Sequence, residues 1–136
     1  IMSSAPDAAA PSPWPEAIPD PAAATGSVSL SDRYVQMQTT IDARERAESL
    51  VWEAVERRLA ACGQIVGPIE STYWWNGRIE TEREWMCFFK TTERRAEALE
   101  AFLLDVHPYE VPEVVGVRLD FVSHDYGDWI DDETDE

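Results

Sequence analysis

The chain has 136 residues, enough for one domain, and 44 % hydrophobic content with six Trp supplies a real core. Its formal net charge of −16 excludes the Lys- and Arg-rich surfaces that nucleic-acid phosphates and anionic membranes demand, leaving cations, basic proteins or neutral ligands as partners. There is no apolar run of membrane-spanning length and no basic, then apolar, leader at the start of the sequence, so the cytoplasm is the expected compartment.

Residues 1 to 30 are dominated by Ala, Pro and Ser. Repeated Pro forbids helix and the apolar content is too low to offset ordering entropy, so a disordered extension is predicted. A first strand is expected at about Arg33 to Thr39. Asp42 with Glu45 three residues on then resembles a capping box, opening a helix that runs to Cys62 and Gly63. Its apolar stripe is Ala43, Ala47, Leu50, Val51, Ala54, Val55 and Leu59. Arg58 falls inside that stripe, which predicts a buried stem with the guanidinium reaching a carboxylate or the helix's last carbonyls.

Two long strand-like runs follow, Gln64 to Trp75 and Arg78 to Thr91, joined by Asn76-Gly77, the pair that accepts the positive φ angles of a type I′ turn. A two-residue turn sets Trp75 opposite Arg78, Trp74 opposite Ile79, Tyr73 opposite Glu80, Thr72 opposite Thr81 and Glu70 opposite Arg83. Each arm is about 40 Å long at about 3.3 Å per residue, roughly twice a usual strand. The outer half, with Tyr73, Trp74, Trp75 and Ile79, needs a partner, and other copies of the chain are the economical choice.

Thr92 is the expected N-cap of a helix over Glu93 to Val106, with Leu99, Phe102, Leu103 and Val106 on one face and His107-Pro108 as its stop. Residues 111 to 119 read as a last core strand with Val115, Val117 and Leu119 on one face, and Tyr126, Trp129 and Ile130 as a short closing helix. Half of the net charge lies in residues 120 to 136, read as a solvated acidic end. The order βαββαβ with an antiparallel central hairpin predicts an α+β, ferredoxin-like sandwich with both helices on one sheet face.

The chain lacks the phosphate-loop, dinucleotide, nucleophile-elbow and zinc-protease motifs. Cys62 and Cys87, without CxxC spacing, read as reduced buried thiols. His107 is a candidate metal ligand, with Glu84, Glu110 or Cys62 near it, and several copies could build a site from single contributions. His124, Asp125 and Asp128 form a weaker surface candidate. Glu84, Met86, Phe88 and Lys90 share one strand face; Lys90, the chain's sole lysine, suits an anionic ligand or a carboxylate across an interface.

LAAC at 59 to 62, STYWWNGRIE at 71 to 80, EWMCFFKTT at 84 to 92, HPYEVPEVV at 107 to 115 and YGDWI at 126 to 130 together resemble the CutA divalent-cation tolerance family. The resemblance covers about residues 33 to 130 and makes 31 to 136 the folded domain. It implies a tight homotrimer built like the PII signalling proteins, non-enzymatic, with clefts between subunits and an association with copper and other divalent cations, zinc included. Family copper binding is assigned to a Cys late in the first strand and to His at the HPY segment. Here His107 occupies the latter, while Gln38 stands at the Cys position and Val106 at that of a second His. Trp75, Glu84, Lys90, Tyr109 and Glu110 match the family pattern and are expected around the cleft. Two functions are therefore in view: a trimer binding divalent cations between subunits, or a PII-like small-molecule sensor or scaffold with no specific metal site.

Overall fold

Period-two alternation sorts β-strand residues into a covered face and an open one, most regularly on the two strands at the centre of the sheet. A computed structural model describes residues 33–135; the Ala/Pro-rich extension predicted at residues 1 to 30 lies outside them. The elements are β1 (Tyr34–Ile41), α1 (Arg44–Glu56), β2 (Cys62–Trp75), β3 (Arg78–Thr92), α2 (Glu93–Val106), β4 (Val114–Arg118) and α3 (His124–Glu133). The sheet order is β2-β3-β1-β4, with every adjacent pair antiparallel, so the fold is the α+β, ferredoxin-like arrangement the sequence order predicts.

Val35, Met37 and Ile41 of β1 and Cys87 and Phe89 of β3 point to the covered face, where they pack with Ala47, Leu50 and Ala54 of α1 and Leu99, Phe102 and Leu103 of α2. The alternate residues, Gln36, Gln38 and Thr40 beside Lys90, Phe88 and Met86 in register, form the open face. A second, smaller cluster sits at one end of that open face, where Tyr34 and Ala61 meet Ile130, Tyr126 and Trp129. No helix among the described residues is long and apolar enough to cross a membrane.

The hairpin follows the predicted register from Glu70↔Arg83 to Trp75↔Arg78, and the Thr72 and Thr81 hydroxyls meet at 3.1 Å. Asn76 (φ 50°) and Gly77 (φ 75°) both lie in the left-handed region the turn requires. Deeper in, a register shift between Val66 and Ile69 spans the cis Gly67–Pro68 bond.

Four local expectations change. Helix α1 ends at Glu56, six residues before Cys62, because Arg58 turns left-handed (φ 59°) and the Leu59 and Ala60 amides fold back onto the Ala54 carbonyl at 2.9 and 3.3 Å. Leu59 is then buried and Val55 half-exposed. The N-cap is Ala43, not Asp42, whose carboxylate instead accepts from Arg46 at 3.3 Å. On β4, Val114 packs into the core while Val115 and Val117 face outward, because the register that sets Val115 opposite Gln38 puts them on the open face. The acidic end is not simply solvated. It forms α3, held by Tyr34 Oη donating to Asp131 (2.7 Å), Arg58 donating to the Glu133 carboxylate and carbonyl (3.2 Å each), and Arg94 at 4.0 Å from Asp135.

Candidate functional site

Helix α2 stops where Pro108 cannot continue it, and this delivers His107 onto the end of β1. The imidazole is buried at 7 % exposure. Its Nδ1 accepts the Tyr109 amide at 3.1 Å, which leaves the proton on Nε2, and Nε2 donates to the Thr40 carbonyl at 2.8 Å. The Tyr109 ring stands edge-on to the imidazole at 4.5 Å between centroids. From there its hydroxyl donates to Glu84 Oε2 at 2.7 Å. Burial, then that hydrogen bond, pushes the Tyr109 phenol well above its ordinary value.

Glu84 is itself only 6 % exposed, and its hydrogen-bond donor among the described residues is the phenol of Tyr109. No Lys, Arg or His lies within ion-pair reach of it among the described residues. A buried carboxylate with a neutral partner keeps an unmet demand for positive charge.

The structure thus joins three of the predicted site residues, Glu84, His107 and Tyr109. It does not bring the others to them within one chain. Lys90 stands six residues along β3 from Glu84, about 20 Å at about 3.3 Å per residue, where its ammonium donates to Gln64 Oε1 at 3.3 Å. Trp75 is at the hairpin tip, and Glu110 is exposed beyond Tyr109. The Thr40 carbonyl, which fixes the imidazole tautomer, was not predictable: a backbone acceptor has no sequence signature.

Metal ligation needs a nitrogen lone pair, and the one at Nδ1 of His107 is engaged by the Tyr109 amide. Gln38, at the position where the family carries a Cys, donates to Glu113 at 3.2 Å. Among the described residues, one chain therefore offers no ready donor set for copper or zinc around His107. The surface candidate does assemble: donor atoms of His124, Asp125 and Asp128 lie within 4.8 Å of one another, on the first turn of α3. All three are exposed, and the positive end of the helix dipole works against a cation there.

Cys62 and Cys87 are both free thiols, on opposite sheet faces and therefore unable to pair. Cys62 lies 3.5 Å from the Tyr126 hydroxyl beneath α3. Cys87 lies in the core, where burial pushes its thiol up to about 11.

The family profile described as CutA1 divalent ion tolerance protein matches residues 35–133. The divalent-cation tolerance protein CutA of Thermotoga maritima is 33 % identical over 71 % of this chain and 94 % of its own. Protein CutA 1, chloroplastic, of Oryza sativa subsp. japonica is 32 % identical over 81 % of this chain, which spans 62 % of that longer relative. Among solved structures, CutA from Synechococcus elongatus PCC7942 complexed with a Bis-Tris molecule aligns with TM-score 0.70 and 35 % identity, covering 75 % of this chain and 94 % of that one. With a profile match across the whole sheet and all three helices, the chain belongs to the CutA1 divalent ion tolerance family.

Proposed function

We propose that the chain acts as a non-enzymatic homotrimer in divalent-cation tolerance, holding copper, zinc or a similar ion weakly at sites between subunits and over its acidic surface. The observation that carries the trimer is the outer half of the β2–β3 hairpin, where Trp74 is 71 % and Ile79 61 % exposed on strands with no sheet neighbour beyond each other. Such an arm is stable when another copy covers it. The cation part rests on the family and on the charge of −16. Within this reading His107 becomes a ligand only when the Tyr109 amide leaves Nδ1, and the other donors, Glu110 among them, come from different subunits.

The engaged nitrogens of His107 favour a second reading, a PII-like trimer whose cleft, with Trp75, Glu84, Lys90, Tyr109 and Glu110 around it, takes a small molecule and no specific metal. The Bis-Tris complex of the Synechococcus relative supports it. Calorimetric titration of metal-free protein with Cu(II) and Zn(II), alongside solution mass, separates the two. Saturable binding in simple ratio to subunits, lost in His107→Ala, supports the intersubunit cation site. Diffuse binding that survives His107→Ala and fades with salt assigns the ions to the acidic surface and the cleft to another ligand.

A further inference from the structure

Glu84 and Lys90 present complementary defects. Glu84 is a buried carboxylate with only a neutral phenol to answer it. Lys90, the sole lysine of the chain, has a neutral amide as its partner and no carboxylate within ion-pair reach among the described residues. Both point to the open face of the sheet from the same strand, and a separation of six positions puts them about 20 Å apart at about 3.3 Å per residue. A lysine side chain spans only a fraction of that, so they cannot meet within one chain. Between them lie Met86 and Phe88, half-buried, with Val66 exposed beside them on β2 and, across Gln36 and Gln38 of β1, Val115 and Val117 exposed on β4. This is an apolar strip with an unanswered negative charge at one end and an unanswered positive charge at the other.

We propose that Glu84 of each copy is neutralised by Lys90 of a neighbouring copy laid across this face. In the threefold assembly proposed above the contact is heterologous, each copy presenting one end of its strip to the opposite end of the next copy's strip. Such contacts close only in a ring, and in a threefold ring each copy gives Lys90 to one neighbour and takes Lys90 from the other. The three Glu84–Tyr109 pairs are then completed, and metal handling is left to His107, Glu110 and the acidic surface. The inference rests on the trimer proposed above, and it states which charge each subunit lends its neighbour.

The test uses the full chain, Glu84→Gln, Lys90→Met and the double variant, each followed by light-scattering mass and thermal midpoint. Lys90→Met is expected to lower the midpoint of the parent trimer by roughly 4 °C or more, and by less than half as much in the Glu84→Gln background. A monomeric parent overturns the trimer reading and this one with it. A trimeric parent in which the two substitutions act additively overturns this one alone. So does a chelator that lowers the parent's midpoint but leaves that of Glu84→Gln unchanged, because the cation at Glu84 is then a metal ion. If Glu84→Gln fails to fold, Lys90→Glu decides: repulsion across the interface splits the trimer, whereas a Lys90 that serves only Gln64 leaves it intact.

Discussion

At the scale of single residues, the sequence named His107, Glu84 and Tyr109 but not how they divide the work. Tyr109 binds both partners, through its amide to the imidazole and through its hydroxyl to the carboxylate. That division depends on the chain's path after Pro108, which no residue type encodes. Tyr34 is a second buried phenol, donating to Asp131, and burial followed by that hydrogen bond pushes it from 10.0 up to about 12. A folded-state value above the unfolded one means that the stabilisation is complete below about pH 10 and is lost as pH rises toward 12. Tyr34→Phe should therefore remove roughly 2 to 3 kcal/mol of the parent's alkaline loss, while costing about 1 kcal/mol at pH 8 for the missing hydrogen bond. Urea unfolding of both proteins at pH 8, 10 and 11.5 measures this. Parallel losses in the two would show that Tyr34 does not carry that limb.

Among the elements, the hairpin was the most legible, since Asn76-Gly77 fixes a two-residue turn and the turn fixes every pair out to Glu70↔Arg83. The helix ends were less so. Arg58 carries no sign that it will adopt φ 59°, and only the return of the Leu59 and Ala60 amides to Ala54 accounts for it. Helix α3 was visible as Tyr126, Trp129 and Ile130, but its anchoring was hidden, because Tyr34, Arg58 and Arg94 come from distant parts of the chain. The anchor is tight at Gly127, where an added Cβ would stand 2.8 Å from the Tyr34 hydroxyl and 3.0 Å from the carbon bearing it. Gly127→Ala is expected to lift α3 away from Tyr34 at a cost of about 1 to 3 kcal/mol. Since Cys62 lies beneath Tyr126 of the same helix, its reaction with a thiol reagent should accelerate in the variant while Cys87 stays inert in the core. An unchanged labelling rate with a lowered thermal midpoint would mean that the strain is absorbed within the helix–strand contact and does not open it.

For the molecule as a whole, the unanswered question in a single chain is what covers the apolar surface left by both the hairpin arm and the open face. Trp74 and Ile79 are direct cross-strand partners near the turn, exposed at 71 % and 61 %, and Val115 and Val117 lie half-exposed on the far side of the sheet. An isolated chain would leave these surfaces in water, beside an unpaired strand edge that invites indiscriminate pairing. A charge of −16 opposes close approach of copies, so an assembly must gain enough from apolar burial and matched strand edges to exceed that repulsion. Replacing Trp74 by Glu together with Ile79 by Lys removes the apolar pair while restoring an opposite-charge pair at the same register, so the hairpin itself is preserved. The expected result for the proposed trimer is a fall in solution mass to that of one chain, with the far-ultraviolet circular dichroism retained. A variant that stays trimeric would place the assembly energy on the open face, with the arm as a secondary contact. Loss of both mass and secondary structure would show instead that the fold of each chain is completed only by its neighbours.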